Sequence, residues 1–396
     1  MAATLYRDAA LADGMSAQLR VGVSVLVSDD RIVWIRPGDG EEDPGDAEIV
    51  DASGATIVPG MVDCHSHITM PGGAHWIDRG TDPPEELLRV AEQNGELQVR
   101  GGVRWARDVG APRGVDPVDG RERALSLGVR DRWRGRRDRP YVRAAGTWVT
   151  RRGTLPPGLD VEVDDGDGLL AAALQQLDEG ADLVKLYLDG PDRDVAPFTA
   201  DEVARVVDAC HQRGAKVAAH ATLLPGARVC AQTHIDSIEH GMQLDADVCR
   251  LLAEHDTAVV STLTVLRSWR SFATTTTLPR FASDEGRAAL AAREEAAMAS
   301  IALAHRSGVR ICAGTDFGGG SARANQMPWE VEALVDAGLE PWEALGAATW
   351  RGGELLDEPD AGRLREGGPA DFFLVHGDPL SDPSALWRVW RVPGLG

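Results

Sequence analysis

Residues 58–67 read VPGMVDCHSH and contain two histidines, His65 and His67, separated by a single residue. Side chains of a β-strand alternate between its two faces, so both imidazoles point to the same side of a strand predicted over residues 61–66. One face of one strand therefore offers two metal ligands, although an HxH pair also arises by chance.

The chain after Pro59 alternates short apolar runs with amphipathic segments of helical length, which is typical of β/α units around a parallel sheet. The apolar runs predict strands over residues 61–66, 103–108, 141–145, 183–188, 216–220, 237–240, 258–262 and 309–315. The segments between them predict helices that include residues 85–101, 168–180, 199–214, 284–308 and 326–338. Eight strands with interleaved helices indicate an α/β fold of the closed (β/α)8 TIM-barrel type.

The two ends of the chain have a different pattern. Short alternating segments lie at residues 21–27 and 31–35, and β-like pieces return at residues 362–364 and 371–375. The C-terminal pieces are too few to build a sheet alone, so we expect them to pair with the N-terminal strands. The predicted organisation is a barrel of residues 59–361 and a small β-sandwich domain formed by residues 1–58 and 362–396.

Composition limits the classes of partner. The 396 residues include 62 acidic and 41 basic ones, and the formal net charge of −21 argues against nucleic acid, whose phosphates select basic surfaces. No apolar run reaches the ~18 residues that span a bilayer, and the N-terminus has no signal-peptide pattern. The five cysteines are scattered and include no CxxC pair, which predicts reduced thiols. We expect a cytoplasmic protein that acts on a small-molecule substrate without a membrane partner, and a homo-oligomer is compatible with these features.

Four further polar side chains lie at the end of, or inside, apolar runs that predict strands. His220, His240 and Asp316 each follow such a run, and the carboxyl ends of the strands form the active-site face of a β/α barrel. Lys185 is a charge inside an apolar run, where burial is costly unless something neutralises it. Taken singly, the histidines are also compatible with core positions, Lys185 with a surface lysine and Asp316 with a helix N-cap. Their joint occurrence favours a metal site.

Six motifs carry a family resemblance. The runs VPGMVDCHSH, GADLVKLY, VAAHA, DSIEHG, AGTD and VDAGLEPWEALGAAT, the last followed by GGPADFFLV, occur in this order between residues 57 and 379. In this order they resemble the amidohydrolase superfamily, and most closely its branch of prolidase-like and arginine-releasing dipeptidases, carboxypeptidase-like amidases and, more distantly, imidazolonepropionase. The resemblance implies a binuclear metal-dependent hydrolase built on a TIM barrel.

The resemblance also implies roles for individual residues. His65 and His67 would hold one divalent ion, His220 and His240 a second, and Asp316 would reach the first. Imidazole nitrogens combined with carboxylate oxygens suit zinc, without excluding manganese, cobalt or iron.

Lys185 is implied to bridge both ions as a carbamate. An ammonium group cannot bind a cation, whereas a lysine that has taken up carbon dioxide presents two anionic oxygens. Such a bidentate group suits two ions about 3.5–4 Å apart. The expected cofactors are therefore two divalent ions, zinc by preference, and a carbamate derived from carbon dioxide on Lys185.

This site predicts cleavage of a carbon–nitrogen bond in a small substrate such as a dipeptide or N-acyl amino acid, by a hydroxide held between the ions. Asp316 would transfer the proton of the water to the leaving nitrogen. One alternative is hydrolysis of a cyclic amide or imidazolone, or deamination of a heterocycle, with one ion. Another is a non-catalytic scaffold. Lys185 favours the binuclear hydrolase, since one-metal relatives generally lack the bridging lysine.

Substrate contacts are less sharply indicated. The stretch 130–139, together with Arg151 and Arg152, is a basic cluster in an acidic chain, and a solvated basic face explains it as well as a binding site does. The functional hypothesis is that Arg152 clamps a substrate carboxylate, with Arg323 as the next candidate. Tyr187, two residues after Lys185, is a third predicted contact. Many relatives carry a Gly-Gly-His turn where this chain has Arg-Arg-Gly-Thr, so a relative's exact substrate does not transfer.

Overall fold

The computed structural model describes residues 3–40, 45–320 and 322–395. The strands are β1 (Thr4–Leu11), β2 (Arg20–Ser28), β3 (Arg31–Pro37), β4 (Glu48–Asp51), β5 (Ala55–Pro59), β6 (Met61–Ser66), β7 (Val103–Asp108), β8 (Arg113–Val115), β9 (Glu122–Ala124), β10 (Tyr141–Ala144), β11 (Val149–Arg151), β12 (Val161–Val163), β13 (Leu183–Tyr187), β14 (Lys216–Ala221), β15 (Ser237–His240), β16 (Ala258–Ser261), β17 (Ile311–Ala313), β18 (Phe372–His376) and β19 (Val389–Arg391). The helices are α1 (Pro84–Arg100), α2 (Leu125–Trp133), α3 (Gly166–Asp178), α4 (Ala200–His211), α5 (Leu224–Ala231), α6 (Ala246–Glu254), α7 (Thr264–Ser271), α8 (Pro279–Ala282), α9 (Asp284–Arg306), α10 (Met327–Asp336), α11 (Pro341–Ala347) and α12 (Trp350–Leu355). The fold is mixed α/β, as predicted.

Local sequence chemistry accounts for where helices begin, and α4 is an example. The Thr199 hydroxyl accepts a hydrogen bond from the Glu202 backbone, and the Glu202 carboxylate accepts one from the Thr199 backbone, which makes a capping box. The buried residues Val203, Val206 and Cys210 recur at helical spacing and place one face of α4 against the core.

The strands from the two ends of the chain share one seven-stranded sheet, in the order β19-β18-β5-β1-β2-β3 with β4 paired to β1. β18 runs antiparallel to β5, with Leu374 opposite Ile57, which confirms the predicted pairing of the C-terminal pieces with the N-terminal strands. The strand predicted at residues 362–364 is wrong, because the chain turns there. A second sandwich layer and the domain boundaries remain predictions.

The middle of the chain forms parallel pairings. β10, β7 and β6 make one array, and β13 to β17 pair in sequence order in another, in which β11 pairs with β13 and β12 with β11. The register sets Tyr187 beside His220 and Ala221 beside His240, so the carboxyl ends of these strands lie together. All eight predicted strands are present, and three of them, β6, β7 and β15, have the predicted bounds.

The two parallel arrays approach each other at both edges. The Asp316 backbone donates to the carbonyl of His65 at 2.7 Å, and Ser66 pairs with Phe317 in a parallel bridge. At the other edge, the Asp182 backbone donates to the carbonyl of Ala144 at 2.8 Å. These bonds connect the chain after β17 to β6, and the start of β13 to β10.

The structure also bears on the predictions about thiols and membrane spans. All five cysteines are free and buried, in agreement with the absence of a predicted disulfide framework. Within the described ranges, no helix has both the length and the apolar character that a bilayer crossing requires.

Candidate active site

The six side chains predicted as metal ligands line one cavity of about 70 Å³, at the carboxyl ends of the parallel strands. They are His65, His67, Lys185, His220, His240 and Asp316. The four imidazoles form a row in the order His67, His65, His240, His220. Successive ring centroids in this row are 5.2, 4.7 and 4.6 Å apart. The structure thus brings the six residues together, while their role as ligands stays a prediction.

His65 is oriented by a buried carboxylate. Its Nδ1 donates to Glu239 Oε2 at 2.7 Å, and Glu239 Oε1 in turn accepts from Arg107 at 2.6 Å and from Ser237 at 2.6 Å. Burial alone would raise the pKa of Glu239, but Arg107 and Lys185 hold it well below its ordinary value. The bond fixes the tautomer of His65 and leaves Nε2 as an electron-pair donor towards the cavity.

His67 and His240 are held in the same manner by their neighbours. His67 Nδ1 donates to the carbonyl of Gly110 at 2.7 Å, and His240 Nδ1 is hydrogen-bonded to the hydroxyl of Thr262 at 2.7 Å. Burial lowers the pKa of the His240 imidazole well below its ordinary value. Both rings therefore keep one nitrogen engaged and the other available, as metal-binding histidines do.

His220 has a different pair of neighbours. Its Nε2 lies 3.2 Å from Asp189 Oδ2, and the same carboxylate accepts from the backbone and hydroxyl of Thr222 at 2.8 and 2.6 Å. The ring of Tyr187 stacks on the imidazole, with centroids 3.7 Å apart. Tyr187 also lines the cavity, where a substrate contact was predicted for it. With Nε2 facing Asp189, Nδ1 is the nitrogen of His220 that remains for a ligand.

Asp316 brings a carboxylate against the first two histidines. Its Oδ1 lies 3.3 Å from His65 Nε2 and 3.0 Å from His67 Nε2. The residue has a positive φ of 50°, which is uncommon outside glycine and re-aims the side chain as the chain leaves β17. Burial would raise the pKa of Asp316, but the neighbouring imidazoles of His65 and His67 hold it well below its ordinary value.

The donor atoms of His65, His67 and Asp316 converge in a way that suits a cation. Nδ1 of His65 and of His67 lies against Glu239 and the Gly110 carbonyl, so a neutral imidazole at either position directs its Nε2 lone pair towards Asp316 Oδ1. Ligand atoms of His65, His240 and Asp316 lie within 4.8 Å of one another. Converging electron pairs in a buried site repel unless a cation lies between them, so the donor set fits a metal ion.

Lys185 lies inside the cavity and is 1% exposed. Burial lowers the pKa of its amine to about 8, although Glu239 and Asp316 act in the opposite direction. Both carboxylates act on the amine through their charge alone, and neither accepts a hydrogen bond from Nζ. The amine is therefore close to the acidic and imidazole groups of the site without being tied to one of them.

Several functional positions escaped the sequence analysis, and Glu239 is the clearest. Neighbouring residues of a strand normally point to opposite faces, so His240 as a ligand argued against Glu239 on the same side. His240 has a positive φ of 77°, and this break in the strand geometry allows both side chains to reach His65. Asp189 and Thr262, each just beyond a strand end, had no motif that singled them out.

The predicted arginine contacts are not in the cavity. Arg152 is exposed and forms ion pairs with Asp164 at 2.8 Å and Glu162 at 3.1 Å, which lie in and after the neighbouring strand β12. Arg323 is also exposed, and it donates to the carbonyl of Pro71 at 3.4 Å. Two acidic side chains neutralise the guanidinium of Arg152 outside the cavity, so this geometry gives the carboxylate clamp no support, and the clamp stays a prediction.

Glycines on both sides of Asp316 pack directly on the histidines. A Cβ at Gly319 would lie 2.0 Å from His67 Cδ2, and one at Gly314 would lie 2.5 Å from the Cβ of His65. A Cβ at Gly320 would meet Asp316 Oδ2 at 2.3 Å. Only glycine leaves these side chains where they are.

Gly319→Ala should therefore displace His67 and weaken metal binding by about 10- to 100-fold, as loss of an orienting contact does. Titration of the apoprotein with zinc measures the effect, with Gly38→Ala as the control because the nearest atom to a Cβ there is 3.7 Å away. Equal zinc affinity of Gly319→Ala and the parent protein would mean that the contact does not position His67.

Comparisons with known proteins extend over nearly the whole chain. The model of a family described as "Amidohydrolase family" matches residues 56–392. An uncharacterized protein of Mycobacterium tuberculosis is 31% identical over 366 residues, covering 89% of this chain and 88% of that protein. The imidazolonepropionase of Streptomyces griseus is 27% identical over 429 residues, covering 100% of this chain and 94% of the enzyme. The solved structure of a Xaa-Pro dipeptidase with bound methionine in its active site superposes with a TM-score of 0.82 at 24% identity, covering 99% of this chain and 98% of that one.

Proposed function

The chain belongs to the amidohydrolase family and is a metal-dependent hydrolase of carbon–nitrogen bonds, and we propose that it cleaves an amide in a small substrate such as a dipeptide or N-acyl amino acid. The observation that carries the proposal is the convergence of electron-pair donors at the carboxyl ends of the strands. Asp316 Oδ1 lies 3.3 Å from His65 Nε2 and 3.0 Å from His67 Nε2, and the Nδ1 atoms of both histidines face other acceptors.

The proposed site would hold two divalent ions, zinc by preference. His65, His67 and Asp316 would bind the first, and His220 and His240 the second. Imidazole nitrogens with carboxylate oxygens are donors that zinc accepts readily. When bound, such ions supply Lewis acidity that activates water and polarises a carbonyl group.

Lys185 would bridge the ions as a carbamate, and composition supports this assignment. Of the 41 basic residues, only Lys185 and Lys216 are lysines. A guanidinium remains protonated and cannot take up carbon dioxide to form a carbamate, whereas a lysine amine can. A lysine at a buried position in a chain that otherwise uses arginine is the residue this chemistry requires.

The proton transfers fall to Asp316. Its carboxylate lies at the cavity beside the two histidines and can accept the proton that the attacking water loses. Delivery of that proton to the departing nitrogen makes the amine a neutral leaving group. The hydrogen bonds from His65 to Glu239 and from His67 to Gly110 keep the imidazoles oriented throughout.

We further propose that the eight parallel strands close into a (β/α)8 barrel over residues 59–361. The backbone bonds that connect Asp316 to His65, and Asp182 to Ala144, support closure at the two array edges. Residues 1–58 and 362–396 would form the small β-sandwich domain, of which the seven-stranded sheet is one layer.

The likeness to an imidazolonepropionase favours one alternative, the hydrolysis of a cyclic amide or imidazolone. Deamination of a heterocycle at a single ion is a related possibility within the same family. The buried Lys185 supports the binuclear assignment over these reactions, since a bridging ligand has no function at one ion.

A substrate panel tests the proposed reaction. Protein loaded with zinc and bicarbonate is incubated with dipeptides, N-acyl amino acids and cyclic amides, and amine and carboxylate products are quantified together. We expect equimolar release of both products from at least one class of linear amide. Opening of cyclic amides alone would support the alternative, and no turnover by metal-loaded protein would contradict the proposed function.

A further inference from the structure

One side of the active-site cavity is an apolar wall that the proposed chemistry does not use. It consists of Met70, Trp76, Ile77, Trp148, Leu155 and Leu159. These side chains pack on one another as a separate cluster, with Tyr187 at its margin. They come from the segments that follow β6 and β10 and from the turn between β11 and β12.

The apolar wall is in contact with one of the proposed metal ligands. The indole of Trp148 contacts the imidazole of His67, with ring centroids 5.1 Å apart. Gly110 connects the two residues, because its carbonyl accepts the Nδ1 proton of His67 and its backbone packs against the indole. A group bonded to a carbonyl held at His67 would therefore lie against Trp148.

The wall is fixed by close backbone packing. A Cβ at Gly110 would lie 2.4 Å from Trp148 Nε1, and a Cβ at Gly80 would lie 2.6 Å from Leu159 and 2.9 Å from Met70. The side chains are thus held in place before a substrate arrives, which reduces the entropy lost on binding.

None of the six wall residues carries a charge, although Arg293 acts electrostatically on Tyr187 at the margin of the wall. Among the lining residues, the ionisable groups are those of the four histidines, Lys185, Tyr187 and Asp316, and none belongs to the wall. Arg152 is neutralised by Asp164 and Glu162, outside the cavity. An anionic group placed against the wall would lose water without gaining a partner, whereas an apolar group would gain by leaving water.

Resting on the proposed amide hydrolysis, we propose that the substrate carries an uncharged apolar group next to the scissile bond and against Trp148. Any carboxylate of the substrate points away from the wall, towards the cavity mouth. This assigns Trp148 and Leu155 as specificity-determining residues and reverses the expectation of an arginine clamp at the reacting bond.

The proposal is tested by measuring the affinity of zinc-loaded protein for three hydroxamates by isothermal titration calorimetry. They are acetohydroxamate, phenylacetohydroxamate and 4-carboxyphenylacetohydroxamate, which share the chelating group and differ in what they present to the wall. Phenylacetohydroxamate should bind about 10- to 100-fold more tightly than each of the other two, the range expected for burial of one apolar group.

Two variants distinguish loss of the apolar contact from loss of folding. Trp148→Ala should reduce the ratio of the affinities for phenylacetohydroxamate and acetohydroxamate about tenfold or more; any change in chelation that both ligands share cancels in this ratio. Leu155→Gln, at a half-buried position, introduces a polar group with less risk to folding and should act in the same direction. Trp390→Ala, at an indole 42% exposed in β19, is the control and should change neither affinity.

The outcomes distinguish this proposal from the proposed function. Equal affinity for the three hydroxamates, or no binding of any, overturns the apolar specificity even if linear amides are cleaved. The expected ranking in a protein that cleaves no amide would support the wall and overturn the proposed reaction. A ranking that survives both Trp148→Ala and Leu155→Gln would also overturn the assignment of these residues.

Discussion

Lys185→Ala should lower kcat/KM for the best substrate of the panel by about a thousandfold or more. The variant removes the proposed bridge, and a metal ion contributes several kcal/mol to stabilising charge in the transition state, with each 1.36 kcal/mol worth a factor of ten. The second ion should be lost with the bridge, so elemental analysis should find less metal in the variant than in the parent protein.

Rescue is the diagnostic result for Lys185→Ala. Acetate or propionate should restore part of the activity and of the metal content, because a short carboxylate can occupy the vacated bridge. Lys216→Ala is the matched control, since Lys216 is the other lysine of the chain and its Nζ bonds to Asp357 and to the carbonyl of Leu355 at 2.7 Å. Full activity and full metal content in Lys185→Ala would refute the bridging carbamate.

Asp316→Asn should lower kcat by about 10²- to 10⁴-fold, the range that proton transfer by a positioned side chain contributes. Asparagine tolerates the positive φ of this position and keeps the size of the side chain, but it cannot accept the proton of the attacking water. The measurement is kcat alongside zinc content, so that loss of metal and loss of proton transfer are separated.

Asp256→Asn is the control for that substitution. Asp256 also has a positive φ, at 53°, and lies on the surface, so it tests whether the exchange itself disturbs a left-handed backbone position. If Asp316→Asn retains its metals and parental kcat, Asp316 does not transfer the proton.

The periodicity of the strands predicts where most of the proposed metal ligands lie. His65 and His67 were placed on one face of β6 by alternation alone, and His220, His240 and Asp316 followed from their positions where strands end. The residues converge because strand side chains repeat every two residues and the carboxyl ends of parallel strands lie at one edge.

Contacts that depend on tertiary pairing were beyond the sequence. The basic cluster around Arg152 predicts a clamp, but the parallel pairing of β11 with β12 brings Glu162 and Asp164 beside its guanidinium. Glu239 was missed because the positive φ of His240 breaks the alternation on which the prediction relied. The apolar wall combines three distant segments and has no single motif.

Metal stoichiometry is the measurement that tests the account most directly. Protein purified with zinc and bicarbonate in excess, freed of loosely bound ions and analysed for elements together with protein concentration, should retain close to two divalent ions per chain. A value that stays near one under these conditions would contradict the binuclear site and favour the single-ion alternative. A value near zero would contradict a metal-dependent active site in this protein altogether.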